Sequence, residues 1–127
     1  MHKVLVVDDT KDARVVLARL LRLGGYQPVL ADDGPSALQS VETEHPDLVL
    51  LDLMMPDMNG VQVLENLRHD PRYKSLPVIL FTAVADGELI QTASRLGIQD
   101  LILKGAVNGF NLLERIGRLL PSDQPTH

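Results

Sequence analysis

Short apolar runs alternate with longer segments of helical periodicity along the chain, and this alternation restricts the fold more than any other feature. Five runs have the length and the β-branched or leucine-rich composition of strands: Lys3–Val7, Pro28–Ala31, Asp47–Leu51, Pro77–Phe81 and Leu101–Leu103. Three of them are nearly continuous in apolar residues, as expected of strands covered by helices on both faces. The pattern predicts a parallel sheet with buried strands.

Five helices are predicted from apolar residues spaced three and four apart, and three of them end at glycine or proline stop signals. The sets are Ala13/Val16/Leu17/Leu20/Leu21 before Gly24-Gly25, Ala37/Leu38/Val41, Val63/Leu64/Leu67, Leu89/Ala93/Leu96 before Gly97, and Leu112/Leu113/Ile116/Leu119/Leu120 before Pro121. Strands alternating with helices predict an α/β fold, because parallel strands need crossover connections that place helices on both faces. We expect a doubly wound (βα)5 flavodoxin-like three-layer sandwich with sheet order 2-1-3-4-5. A leucine-rich solenoid is excluded, since no sequence signature repeats.

The size of the chain indicates one domain. It has 127 residues, and we expect residues 1–120 to fold together and residues 121–127 to form a flexible tail or linker stub. The absence of cysteine, of a signal peptide and of a long apolar run favours a cytoplasmic protein that does not enter a membrane. A net charge of −5 argues against direct binding to nucleic acid, which needs a positive surface.

Polar residues follow four of the predicted strands directly. Asp8 and Asp9 follow the first strand, Asp52 the third, Thr82 the fourth and Lys104 the fifth. Ligands of open α/β sheets bind beyond the carboxyl ends of the strands, so these side chains are expected at one edge. Clustered carboxylates repel one another unless a cation is bound or a pKa rises, and their oxygen ligands suit Mg²⁺. The sequence therefore predicts a magnesium site.

Each of these residues also has an ordinary structural interpretation. Asp9 or Thr10 could cap the following helix, Thr82 could be a hydroxyl at a strand end, and Lys104 could be a solvated surface cation. The segment Met54–Gly60 could be a turn that does no more than start a helix. The expected placement of five polar residues at one edge of the sheet nevertheless favours a joint role; they are Asp8, Asp9, Asp52, Thr82 and Lys104.

Four segments resemble the receiver domain of two-component response regulators, and the likeness covers essentially the whole chain. They are Val7-Asp8-Asp9, Asp52–Gly60, Phe81-Thr82-Ala83 and Lys104. The resemblance implies that Asp52 accepts a phosphoryl group from a phosphohistidine on a histidine kinase or a histidine phosphotransfer protein. It also implies that Asp9, Asp52 and the backbone carbonyl of Met54 ligate Mg²⁺, while Asp8 acts mainly through metal-bound water.

The same resemblance assigns the remaining site residues. Thr82, Ala83 and Lys104 would bind the phosphoryl group, and Thr82 with position 101 would form the switch that changes a protein-interaction surface. The expected output is a downstream protein or a covalently linked output domain, and a homodimer through the last helix and strand is possible. Such a module is not an enzyme with a separate substrate, because it catalyses only its own phosphorylation and dephosphorylation.

The chain departs from the family pattern at two positions. Gly105 stands where the family usually has proline after the lysine, and this predicts a trans Lys104–Gly105 bond because a non-proline cis bond is costly. Leu101 stands where many receivers have tyrosine or phenylalanine, so we expect output through backbone and helix movement rather than through a ring rotation.

Two further hypotheses concern apolar side chains near the site. Met54 and Val84 cannot hydrogen-bond an attacking water well, which predicts a long-lived acyl phosphate. Val15 and Ala18, on the first helix, could form a docking patch for the helix of a phosphodonor, or could be ordinary exposed residues.

Other function classes fit the sequence less well. A phosphatase of the haloacid-dehalogenase type needs a second aspartate at the position of Met54, and a flavodoxin-type flavin binder needs a phosphate loop where Asp8-Asp9-Thr10 stands. The alternative that stays open is a receiver-like interaction or dimerisation module in which phosphorylation is weak or unused.

Overall fold

The fold is described by a computed structural model, which covers residues 1–83, 86–105 and 108–120. Its elements in chain order are β1 (Lys3–Val7), α1 (Lys11–Leu23), β2 (Gln27–Ala31), α2 (Gly34–Glu44), β3 (Leu48–Leu51), α3 (Gly60–His69), β4 (Val78–Thr82), α4 (Gly87–Leu96), β5 (Asp100–Leu103) and α5 (Gly109–Leu119). All five predicted strands are confirmed, with bounds shifted by at most one residue. Val84 and the predicted tail at 121–127 lie outside the described residues.

The five strands form one parallel sheet in the order β2-β1-β3-β4-β5, which confirms the predicted flavodoxin-like topology. The sequence-distant strands β1 and β3 are neighbours, and Val7 is paired with Leu51 at their carboxyl ends. This crossover places the residues that follow β1 directly beside the residue that follows β3.

The core lies in two layers, one on each face of the sheet. Alternate residues of the central strands point to opposite faces, so that Leu51 joins the layer under α2, α3 and α4 while Leu50 joins the layer under α1 and α5. The strands β1, β3 and β4 are almost completely buried, as their continuous apolar sequences predicted. The architecture is the predicted three-layer sandwich.

Helix α1 packs on a face that differs from the predicted one. Its fully buried residues are Leu17, Ala18 and Leu21, whereas Val16 is 63% exposed. The small Ala18 is suited to close packing on the sheet, and Leu20 lies at the edge facing α5, where it approaches Gly109. The predicted stripe through Val16 was therefore wrong, as was the placement of Ala18 off the core.

The helix ends follow the stop and start residues in the sequence. Gly24 and Gly97 cap the carboxyl ends of α1 and α4. Gly97 has φ of +109°, a backbone conformation that residues with a side chain rarely adopt.

None of the helices in the described ranges is long and apolar enough to cross a bilayer.

Candidate functional site

The carboxyl edge of the sheet brings together the residues that were singled out at the strand ends. Backbone hydrogen bonds extend the strand pairing one residue past β1, β3 and β5: Asp8 N–H donates to Ala31 O (3.1 Å), Asp52 N–H to Val7 O (3.0 Å) and Lys104 N–H to Thr82 O (2.9 Å). The backbone beneath the site is thus held by the sheet itself, which fixes where each side chain starts.

Asp8, Asp9 and Asp52 form an acidic cluster at this edge. Each offers one carboxylate oxygen, and these oxygens lie within 4.8 Å of one another. Asp8 is 1% exposed and Asp52 6% exposed, while Asp9 faces solvent. Two nearly buried carboxylates this close repel each other strongly, because little water separates their charges.

Lys104 supplies a positive charge from the fifth strand. Its Nζ lies 2.5 Å from Asp8 Oδ2 and 3.3 Å from Asp52 Oδ2, so one ammonium bridges the two buried carboxylates. The same Nζ lies 5.6 Å from the centre of the Phe81 ring, whose face favours a nearby cation. The peptide bond that follows, Lys104–Gly105, is trans as predicted.

The protonation equilibria reflect this crowding. Burial raises the pKa of Asp52 above its ordinary value, and neighbouring Asp8 adds to the shift, although the Met54 N–H and Lys104 oppose it. Burial alone would lower the pKa of Lys104, but its contacts with Asp8 and Asp52 outweigh that effect and raise it. The Asp8 and Asp52 carboxylates repel each other, and a bound cation would reduce this repulsion.

The donor set of the cluster fits a hard divalent cation. Carboxylate oxygens are the ligands that Mg²⁺ prefers, and the exposed Asp9 leaves an open side for water ligands. The cluster could therefore hold a metal ion at the position that the sequence predicted.

The other predicted site residues lie around the same edge. Thr82 ends β4 and is completely buried, and Ala83 follows it at the surface. Met54 donates its backbone N–H to Asp52 Oδ1 at 3.1 Å, and its side chain is 47% exposed. Leu101 lies on β5 opposite Leu80, packed into the core layer under α4, two residues before the end of the strand.

Three residues contact the site in ways that the sequence did not indicate. A Cβ on Gly60 would lie 2.4 Å from Asp52 O and 2.9 Å from Leu53 Cα, so only glycine permits α3 to begin this close to the end of β3. Arg14 contacts the main chain of Asp8, and Phe81 lies beneath Lys104. The Asn59-Gly60 pair indicated a turn, but the sequence carries no sign of these three contacts.

The predicted docking patch on α1 is only half present at the surface. Val15 is 42% exposed, but Ala18 is 3% exposed and belongs to the core. A patch made of these two side chains is therefore wrong, because Ala18 is not available to a partner.

Comparison with known proteins gives the family. The family model of the response regulator receiver domain matches residues 4–117, which is nearly the whole described chain. The chain belongs to this family. It is thus a receiver domain of two-component signalling.

Similar proteins include a regulator of nearly the same size as this receiver domain. Chemotaxis protein CheY-3 of Vibrio cholerae is 40% identical over 103 residues, covering 80% of this chain and 79% of that protein. The crystallised chemotaxis protein CheY4 of Vibrio cholerae superimposes with a TM-score of 0.86 at 30% identity, covering 94% of this chain and 99% of that one. The receiver domain described here is therefore chemotaxis-regulator-like in its fold.

Longer proteins also contain a matching segment. The probable transcriptional regulator ycf27 of Porphyridium aerugineum is 40% identical over 103 residues, which cover 81% of this chain and 42% of that protein. The chain thus spans about two fifths of the length of such relatives.

Proposed function

We propose that this receiver domain accepts a phosphoryl group on Asp52 and thereby switches a protein-interaction surface. The observation that carries the proposal is the environment of the Asp52 carboxylate. It is nearly buried, shares a 4.8 Å cluster with Asp8 and Asp9, and has the Lys104 ammonium 3.3 Å from Oδ2. A nucleophilic carboxylate flanked by a cation and by candidate metal ligands is the set of groups that phosphoryl transfer needs.

The donor is a phosphohistidine on a histidine kinase or a histidine phosphotransfer protein. An Asp52 carboxylate oxygen forms a bond to phosphorus while the phosphorus–nitrogen bond to the donor imidazole breaks. The imidazole leaves with that electron pair and takes up a proton, and Asp52 becomes an acyl phosphate. Lys104 stabilises the negative charge on the transferred oxygens, since its ammonium already lies at the Asp52 carboxylate.

The residues that would hold Mg²⁺ are Asp9, Asp52 and the backbone carbonyl of Met54, with Asp8 acting through a water ligand. When bound, the ion neutralises charge on the transferred phosphoryl oxygens and helps to align them. The Met54 N–H also holds Asp52 Oδ1 at 3.1 Å, which leaves Oδ2, beside Lys104, as the oxygen that receives phosphorus.

Thr82 and Ala83 would detect the phosphoryl group. Thr82 is the last residue of β4 and Asp52 follows the neighbouring strand β3, so the Thr82 hydroxyl lies at the same edge of the sheet as a group attached to Asp52. Ala83 has no bulk that would block access, and Lys104 is the third phosphate ligand. Leu101 lies in the same core layer as Leu80 of β4, and we propose that it follows Thr82 without the ring rotation that an aromatic residue would make.

The wider assignment follows from the same proposal. Residues 1–120 form the receiver, residues 121–127 form a tail or linker, and the protein works in the cytoplasm. Its output is a downstream protein or a linked output domain, with a homodimer as one form. Direct contact with nucleic acid or with a membrane is not part of this function.

Intact mass after incubation with acetyl phosphate and Mg²⁺ tests the proposal. The parent protein should gain the mass of one phosphoryl group, and it should lose this gain in EDTA. Asp52→Asn should gain none. Failure of the parent to form an adduct with acetyl phosphate or with a phosphorylated histidine donor would refute phosphorylation, and would favour the interaction or dimerisation module.

A further inference from the structure

Arg14 lies on α1, and its side chain reaches back to the end of β1. Its guanidinium Nη1 donates to the main-chain oxygen of Asp8 at 2.8 Å. Over residues 1–83, 86–105 and 108–120 this guanidinium forms no salt bridge, although the residue whose carbonyl it contacts belongs to the acidic cluster. An arginine beside acids ordinarily pairs with a carboxylate, so its hold on a carbonyl is a specific arrangement.

With this contact, every polar group of Asp8 has a hydrogen-bond partner. Its N–H donates to Ala31 O (3.1 Å), its Oδ1 accepts from Thr10 N–H (2.9 Å), its Oδ2 accepts from Lys104 Nζ (2.5 Å), and its carbonyl accepts from Arg14. Lys104 and Thr10 fix the carboxylate, whereas Arg14 fixes the peptide unit that leads to the next residue.

That next residue is Asp9, which faces solvent and belongs to the acidic cluster. The direction of its side chain depends on the plane of the Asp8–Asp9 peptide, because the carbonyl of this peptide can rotate unless something holds it. Arg14 holds this carbonyl, and it therefore acts on the peptide unit from which Asp9 starts.

We propose that Arg14 is a positioning residue of the cation site, which sets the geometry of Asp9 and thereby strengthens Mg²⁺ binding. This inference rests on the proposed function for its biological meaning. The expected effect of Arg14 on Mg²⁺ affinity is opposite to the effect that charge alone predicts, since a positive guanidinium near the cluster repels a second cation. Removing Arg14 should weaken Mg²⁺ binding if position matters, and should strengthen it if only charge matters.

The test compares Arg14→Gln with Arg19→Gln by calorimetric titration of the unphosphorylated proteins with Mg²⁺. Both variants lose one positive charge from α1, but Arg19 is exposed. Loss of a group that orients a metal ligand typically weakens affinity on the order of tenfold or more. We expect that loss in Arg14→Gln, and an unchanged or slightly higher affinity in Arg19→Gln. Arg14→Lys, which can donate one hydrogen bond, should fall between the parent and Arg14→Gln.

A second measurement separates positioning from a loss of fold. The rate of phosphorylation by acetyl phosphate in Arg14→Gln should approach the parent rate at saturating Mg²⁺, with the half-saturating concentration raised by the same factor as the dissociation constant. An unchanged or tighter Mg²⁺ dissociation constant in a folded Arg14→Gln would overturn the inference. A parent that binds Mg²⁺ but takes up no phosphoryl group would instead refute the proposed function, and the Mg²⁺ comparison would still decide the role of Arg14.

Discussion

Gly60 is the first residue of α3, and it lies beside the end of β3, the strand that Asp52 follows. Its N–H donates to Leu53 O at 3.0 Å, and the space that a Cβ would need is filled by the backbone at Asp52 and Leu53. Asp57, three residues before Gly60, has φ of 65°. The turn that joins β3 to α3 therefore already uses an unusual backbone conformation. The position of Asp52 therefore depends on the absence of a side chain eight residues later.

Gly60→Ala should destabilise the protein and slow phosphorylation. The added methyl group must displace backbone, which typically costs about 1–3 kcal/mol of unfolding free energy. Urea unfolding and the acetyl phosphate reaction measure the two effects. Gly87→Ala is the matched control, because no atom of the described residues lies within 4 Å of a Cβ at that helical position, and alanine should be neutral or stabilising there. Equal behaviour of the two variants would contradict the close-approach argument.

Sequence patterns identified the groups at the strand ends but not the groups that position them. Asp8, Asp9, Asp52 and Lys104 were predictable because the carboxyl ends of parallel strands share one edge. The contacts of Arg14, Gly60 and Phe81 were not, because each depends on how two elements approach in three dimensions. The error in the orientation of α1, at Val16 and Ala18, has the same origin, since the covered side of that helix depends on how it packs against the sheet and α5 in three dimensions.

At the scale of the elements, the two helices that follow the acidic residues begin in different ways. Asn59 and Gln62 form a reciprocal capping box at the start of α3, with bonds of 2.9 and 3.0 Å between side chain and backbone. Thr10 occupies the corresponding position of α1, but its hydroxyl makes no capping bond, and its N–H is used by Asp8. The hydrogen bonds at the start of α3 stabilise that helix, whereas the Thr10 N–H at the start of α1 holds the carboxylate of Asp8.

Alanine substitutions at the two cap positions should therefore differ. Asn59→Ala should lower the unfolding free energy by about 0.5–2 kcal/mol, the usual cost of losing a capping side chain. Thr10→Ala should change it much less, because no capping bond is lost. Urea titrations of both variants against the parent give the comparison. A loss of unfolding free energy in Thr10→Ala as large as that in Asn59→Ala would contradict the assignment of Thr10 as a residue whose hydroxyl does not cap α1.

At the scale of the whole molecule, the sheet order accounts both for the burial of the core and for the repulsion between two carboxylates at the edge of the sheet. Placing β1 beside β3 buries an apolar core on each face, and it also brings Asp8 and Asp52 together at the edge. The core tolerates the repulsion between these carboxylates because the two layers hold the strands in place. The fold could be predicted from the alternation of its elements, while the charge balance at the edge depends on burial that the sequence does not display.

The raised pKa of Asp52 makes a prediction about stability and pH. Below the ordinary aspartate value of 3.8 the carboxyl is protonated in both folded and unfolded states, and it costs nothing. As the pH rises through 3.8 toward the higher folded-state pKa, the unfolded state ionises first and the folded state loses stability. In EDTA, Asp52→Asn should therefore be more stable than the parent at pH 7, by about 0.5–2 kcal/mol as is common for functional residues, and this gain should vanish in acid.

Unfolding by urea at several pH values checks this prediction. Glu65→Gln is a suitable control, since Glu65 is an exposed acid on α3. A variant Asp52→Asn that is less stable than the parent at pH 7, or a difference that does not depend on pH, would show that burial does not govern this carboxylate.

The central claim is that Asp52, and no other acid of the cluster, receives the phosphoryl group. Hydride reduction of the phosphorylated protein converts an acyl phosphate to an alcohol, and peptide mass mapping then locates the converted residue. We predict conversion of Asp52 to homoserine, with Asp8 and Asp9 unchanged. Conversion at Asp8 or Asp9 in the parent, or conversion elsewhere at the same yield in Asp52→Asn, would contradict the claim.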